Sequence, residues 1–192
     1  VVAAVLVAVI MVISVSLNAP LGAKANPGLS PNPTKAPWYF AGVQELLFHF
    51  HPLIALFIIP VVMSTFLVSL PYFNYQSGTA GVWFASQRGR QTAALAAVTA
   101  IIITPIGIIL GEFVIDFVAW MPGKSPIFSN GLLPAAIVLI GIILFYWLVK
   151  KKYAVANNES IQSVFILLVT AFIILTITGI WFRGKGMALM WP

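Results

Sequence analysis

Cysteine is absent from the 192-residue chain and charge is scarce: Asp and Glu together number 4, Lys and Arg 10, and His 2. Without a thiol this chain holds no disulfide, no thiolate metal site, no iron–sulfur cluster and no covalent c-type haem. Charged residues make up 7% of the sequence. A soluble domain carries about a quarter, so most of this surface must face something other than water. The basic residues are scattered, which excludes the clustered basic face that nucleic-acid binding needs.

What fills the chain instead is apolar. Hydrophobic residues reach 61% and the mean hydropathy is +1.05, the composition of an integral membrane protein. Five runs, 1–17, 52–70, 92–120, 132–149 and 161–181, reach or approach the roughly 17–25 residues that cross a bilayer as a helix. The first has small residues, Ala23 and Ala25, beyond its end but lacks a positive leader, so it reads as a span and not as a secretory signal. Position 1 already lies inside the run, so the span is expected to begin upstream. The expected fold is an all-α membrane bundle of five transmembrane helices with one short amphipathic interfacial helix, forming a single membrane domain over 1–192.

Local signals support these limits. Pro52 suits a first helical turn and Pro71 closes the same helix, while Pro60 and Pro105 fall mid-span and are expected to kink it. Phe145, Tyr146 and Trp147 precede three lysines, an aromatic belt followed by snorkelling cations, and Trp181 and Trp191 mark the other interface around Arg183. Five spans would put Arg88, Arg90 and Lys150, Lys151 and Lys152 on one side, against Lys24, Lys35, Lys124, Arg183 and Lys185 on the other. The counts tie, but the first set is denser and lies in shorter loops, which favours it as cytoplasmic.

The segment 27–48 is the most distinctive. Pro27, Pro31, Pro33 and Pro37 hold its first half extended, and the half from Trp38 to Phe48 carries large apolar groups at helical spacing. A rigid loop leading into a short aromatic helix is a natural wall for a flat apolar ligand.

The residues Ala36-Pro37-Trp38-Tyr39 resemble the Pro-Glu-Trp-Tyr signature of the cytochrome b family, with the Trp-Tyr pair kept and proline in place of the glutamate. Pro71-Tyr72-Phe73, Gly81-Val82-Trp83-Phe84 and Gln87-Arg88-Gly89-Arg90 resemble the connector between the sixth and seventh helices of that family's bacterial C-terminal chains. The likeness covers roughly residues 1–150; 151–192 add a span and a tail beyond it. It implies the C-terminal cytochrome b-type subunit of an inner-membrane quinol oxidoreductase, as in bc and b6f complexes. The substrate would be a quinone, with haem b in a partner chain forming the N-terminal half and none ligated here. An iron–sulfur protein or c-type cytochrome would receive electrons, and membrane lipid surrounds the whole. The family's signature loop lies on the electropositive side, so the N-terminus is expected in the cytoplasm and the C-terminus outside. The alternative is a non-catalytic anchor holding extrinsic redox proteins in a respiratory or photosynthetic assembly.

On that resemblance the quinone-facing candidates are Pro37, Trp38, Tyr39, Phe40 and Gln44, with membrane-interface anchoring as the other role for the aromatics. Glu45 and His49, four apart and so on one helix face, are candidate proton acceptors standing in for the missing glutamate; the other reading makes them a pair that only fixes the short helix. His49 and His51 point about 200° apart on a helix and cannot share one iron from it; His51 reads as a capping or interfacial group before Pro52. No metal site is expected. Glu112 and Asp116, also four apart, are expected on one face near the outer end of the third span, pairing with Arg183 or Lys185 in preference to forming a proton exit or a second wall of the quinol pocket.

Overall fold

The computed structural model describes residues 2–16, 28, 34–69, 72, 83–84 and 86–190, with the Lys185 side chain excepted. Their regular structure is helical: α1 (Val2–Ser16), α2 (Ala41–His49), α3 (Ile54–Ser69), α4 (Gln87–Phe113), α5 (Phe117–Trp120), α6 (Phe128–Tyr153) and α7 (Asn157–Phe182), then a 3-10 turn at Lys185–Met187. Among the described residues no strand forms; one isolated bridge pairs Arg183 with Leu189. Three helices, α4, α6 and α7, are long and apolar enough to cross a membrane, and α1 and α3 are shorter apolar helices. The chain is thus a helical protein of membrane character. The outer limits of the first two runs at 17 and 70, the prolines 27, 31, 33 and 71, and the interfacial Trp191 lie outside the described residues.

The chain divides into two compact units, Val1–Asn32 and Pro33–Pro192. In the first, α1 is apolar on every face and buries none of its residues. Its two serines bond back into the helix, Ser14 to the Met11 carbonyl at 2.9 Å and Ser16 to that of Val12 at 2.7 Å. A helix apolar all round belongs in lipid or inside a larger assembly.

In the second unit α4 and α7 run parallel and α6 antiparallel to both. Polar groups at the two ends fix this register. At one end the Glu159 carboxylate, in the first turn of α7, accepts from the Ser86 amide at 2.8 Å and the Ser86 hydroxyl at 2.9 Å, holding the serine whose oxygen caps α4 by accepting from Gly89 N at 2.8 Å. Gly89 leaves the space that this carboxylate fills. One turn on, the buried Ser163 hydroxyl lies 2.8 Å from that of Thr92, which donates to the Gly89 carbonyl at 2.7 Å. An acid here also meets the positive ends of two helix dipoles. The end of α6 reaches the same level, where the Lys150 ammonium lies 3.3 Å from both Tyr146 Oη and Asn157 Oδ1. Arg88, Arg90, Lys150, Lys151 and Lys152 therefore share one end of this unit.

At the other end α2 lies across the last turns of α7. Gly179 makes the crossing possible: a Cβ there would stand 2.8 Å from the Ala41 carbonyl oxygen. Small residues admit this approach of backbones. The His51 amide then donates to the Asn130 carbonyl at 2.7 Å, tying the start of α3 to the start of α6.

Several expectations need correction. The third helix does not reach residue 120. It ends at Phe113 with a widened last turn, Ile115 N to Leu110 O at 2.7 Å, and Asp116 then caps α5 by accepting from Val118 and Ala119 at 3.0 and 2.9 Å. A short acid that bonds nearby amides favours a cap over a helix interior. Glu112 and Asp116 accordingly do not share a helix face. The fourth and fifth runs are longer than 132–149 and 161–181, because the polar first turn of α7 and the three lysines ending α6 remain helical. The short helix begins at Ala41, after a turn at Trp38–Phe40 closed by Phe40 N to Pro37 O at 2.9 Å. Pro52 is the first helical residue of its segment, and the wide π-turn Ile54–Ile58 precedes Pro60, giving room where its ring would crowd the preceding turn. Pro105 lies within an unbroken α4.

Candidate functional site

Side chains staple the proline loop to the helices behind it. Gln44 accepts from the Ala36 amide and donates to the Thr34 carbonyl, each at 2.7 Å. Both ends of its amide are thereby engaged with the loop. Lys35 donates to the Ile180 carbonyl and, at 3.2 Å, to that of Arg183, satisfying free carbonyls at the end of α7. Beyond this stapled loop Pro37 leads into Trp38 and Tyr39, whose rings meet edge to face with centroids 5.9 Å apart. They are 71% and 68% exposed, and Phe40 is also exposed.

Helix α2 inverts the usual amphipathic arrangement. Its buried face is Ala41, Gly42 and Glu45, while Phe48 is exposed. Glu45, at 0% exposure, is tolerated because Arg183 reaches it from the end of α7. The guanidinium grips it two-pronged, Nε to Oε2 at 2.9 Å and Nη2 to Oε1 at 2.5 Å. This geometry matches the planar fork to the carboxylate. The remaining nitrogen, Nη1, serves Glu112 Oε2 on α4 at 3.0 Å and the Met187 carbonyl at 2.9 Å. Phe48 lies against the cation, 4.7 Å from the guanidinium carbon to its ring centre.

The tail after α7 is shaped to complete this shell. Gly186 and Met187 both take left-handed backbone, with φ of 69° and 60°. The chain turns back so that Gly184 N reaches Ala188 O at 3.0 Å and Met190 N reaches Phe182 O at 2.8 Å. A left-handed methionine costs about 1–3 kcal/mol. Here it aims the Met187 carbonyl at Arg183.

His49 Nε2 lies 3.4 Å from Glu45 Oε1. Its ring packs over Gly111 of α4, where a Cβ would stand 2.8 Å from Nδ1. Burial alone pushes the Glu45 carboxyl up, but the hydrogen bonds to His49 and Arg183, with their charges, together hold it below its ordinary value. Glu45 and Glu112 face a single guanidinium, and the Lys35 ammonium lies close by on the Arg183 carbonyl. Glu112 is the member that meets solvent, its side chain 26% exposed.

The structure therefore brings Glu45 and His49 together, as their spacing suggested, and pairs Glu112 with Arg183. It leaves Asp116 out as a helix cap. His51 Nδ1 accepts from the Leu53 amide at 3.2 Å, the capping position expected of it. Sequence reasoning missed the Glu45–Arg183 pair. The signal was present: five-span counting puts both residues on one side, and a buried carboxylate needs a cation. No family model matches the chain, and no curated protein or solved structure matches it either.

Proposed function

We propose that the chain is a cytochrome b-type membrane subunit of a quinol oxidoreductase, forming one wall of the quinol-oxidation site and carrying no redox centre of its own. It works beside a chain holding the b haems and passes electrons, through that complex, to an iron–sulfur protein or a c-type cytochrome. The observation that carries the reading is the stapled loop with Trp38 and Tyr39 standing exposed at its tip, beside α2 and its Glu45–His49 pair. Exposed aromatics on a rigid support suit a flat quinone head. Of the two proton-acceptor candidates, His49 is the better fit, since both Glu45 oxygens are engaged by Arg183.

That same engagement favours the anchor as the second reading, in which the cluster only fixes α2. The test is a photoreactive quinone analogue applied to the purified complex, followed by peptide mapping and quinol-dependent haem reduction. Labelling at residues 38–40, with reduction lowered at least about tenfold in Trp38→Ala, supports the quinol site. Labelling elsewhere and unchanged reduction would leave the anchor.

A further inference from the structure

The Glu45 cluster contains a residue that the cytochrome b resemblance does not supply. Arg183 follows α7, outside residues 1–150, and yet its hydrogen bonds run to the heart of the cluster: two to Glu45, one to Glu112 and one to Met187. It is 3% exposed. Its grip occupies both Glu45 oxygens, so Glu45 cannot rotate away from His49. A fixed, buried carboxylate against one imidazole nitrogen sets the tautomer and the orientation of the ring.

The charges lead to the same place. Among the described side chains, two carboxylates face one guanidinium beside His49, and the Lys35 ammonium lies on the Ile180 and Arg183 carbonyls. An imidazole set beside two carboxylates that share one guanidinium is suited to carry a proton. We propose that Arg183 is the positioning residue of a single-proton site in which it fixes Glu45, Glu45 orients His49, and His49 carries the proton, with Glu112 as the member in contact with solvent. Its part in turnover rests on the quinol reading: one quinol O–H breaks, an N–H forms on His49, and one electron leaves for the partner's high-potential acceptor; the second proton then leaves to water and the second electron to the partner chain's b haem. Among the described side chains, the titratable and charged groups in and around the cluster are Glu45 and His49 on α2, Glu112 on α4, Arg183 after α7, Lys35 from the loop and His51 before α3.

The test uses the intact complex, wild type and with His49→Gln, Arg183→Gln and Arg183→Lys, checked for subunit and haem content. Proton uptake is followed by infrared difference titration. The imidazole signal lost in His49→Gln identifies the site. In Arg183→Gln the cluster gains a further negative charge, so the uptake midpoint moves upward by about one to two pH units. Arg183→Lys, which keeps the charge and loses the fork, moves it less and lowers quinol-dependent reduction. An unchanged midpoint in assembled Arg183→Gln overturns the proposal. Should that variant not assemble, an Arg183→Lys complex unchanged in both midpoint and rate overturns it equally. A wild-type complex that takes up this proton but oxidises no quinol at any pH supports the proton site and refutes the quinol reading.

Discussion

Replacing Glu45 with Gln preserves shape and removes one charge from a group with no solvent exposure. Breaking one partner of a buried ion pair costs about 3–5 kcal/mol. The introduced amide would still accept one bond from Arg183, worth about 1 kcal/mol, and Arg183 keeps Glu112 and the Met187 carbonyl. A loss of about 2–4 kcal/mol at neutral pH follows, concentrated where α2 meets α7. Its pH dependence has a definite sign. Glu45 is held below its ordinary value in the folded protein. Its ionised form therefore contributes stability that is fully present above the unfolded carboxyl value of about 4.3, and is lost as pH falls through the lower folded value. The wild type should lose stability through that acid range while Glu45→Gln loses less, so their melting curves converge as pH drops. Thermal unfolding of the complex in lipid nanodiscs, from neutral pH down to about pH 3.5, measures this. A gap that stays constant with pH, or no gap at all, would refute the assignment of Glu45 as an ionised structural partner.

Three further outcomes follow from the packing. Gly179→Ala puts a methyl 2.8 Å from the Ala41 carbonyl oxygen; overpacking of this kind costs about 1–3 kcal/mol, read as a lowered melting temperature. Glu159→Ala leaves the Ser86 amide without its acceptor and costs about 1–3 kcal/mol, seen as faster hydrogen exchange in the first turn of α4. Single cysteines at positions 88 and 124, placed in a background with no native thiol, should label from opposite faces of the membrane; labelling from one face would contradict the helix arrangement.

Hydropathy made the long apolar helices legible, because lipid-facing segments must be apolar whatever their neighbours. It misjudged their ends for the complementary reason. Asn157 to Ser160 and Lys150 to Lys152 are polar yet helical, since helix termini favour acids at the start and cations at the end. Asp116 carried an opposite message that the i, i+4 pattern with Glu112 concealed: it is a cap that starts a new short helix after α4 has ended. The Glu45–His49 pair was readable from local spacing. Its counter-ion was not, because Arg183 lies 138 residues away and periodicity reports only what shares an element. Spacing alone did not show which face of α2 turns inward, since a helix that buries a glutamate and exposes a phenylalanine reverses the ordinary rule.

The lateness of Arg183 in the chain has a consequence for biosynthesis. A polypeptide emerges from the ribosome beginning at its N-terminus, so Glu45 and Glu112 are made long before their cation. Until α7 and the residues after it are in place, the two carboxylates lack their guanidinium, and α2 lacks the helix it lies across. α7, with the arginine that follows it, is thus the clasp that seats a helix made well before it. A ribosome stalled before residue 183 would leave Glu45 without its buried cation, which makes the ion cluster a marker that translation has passed this point.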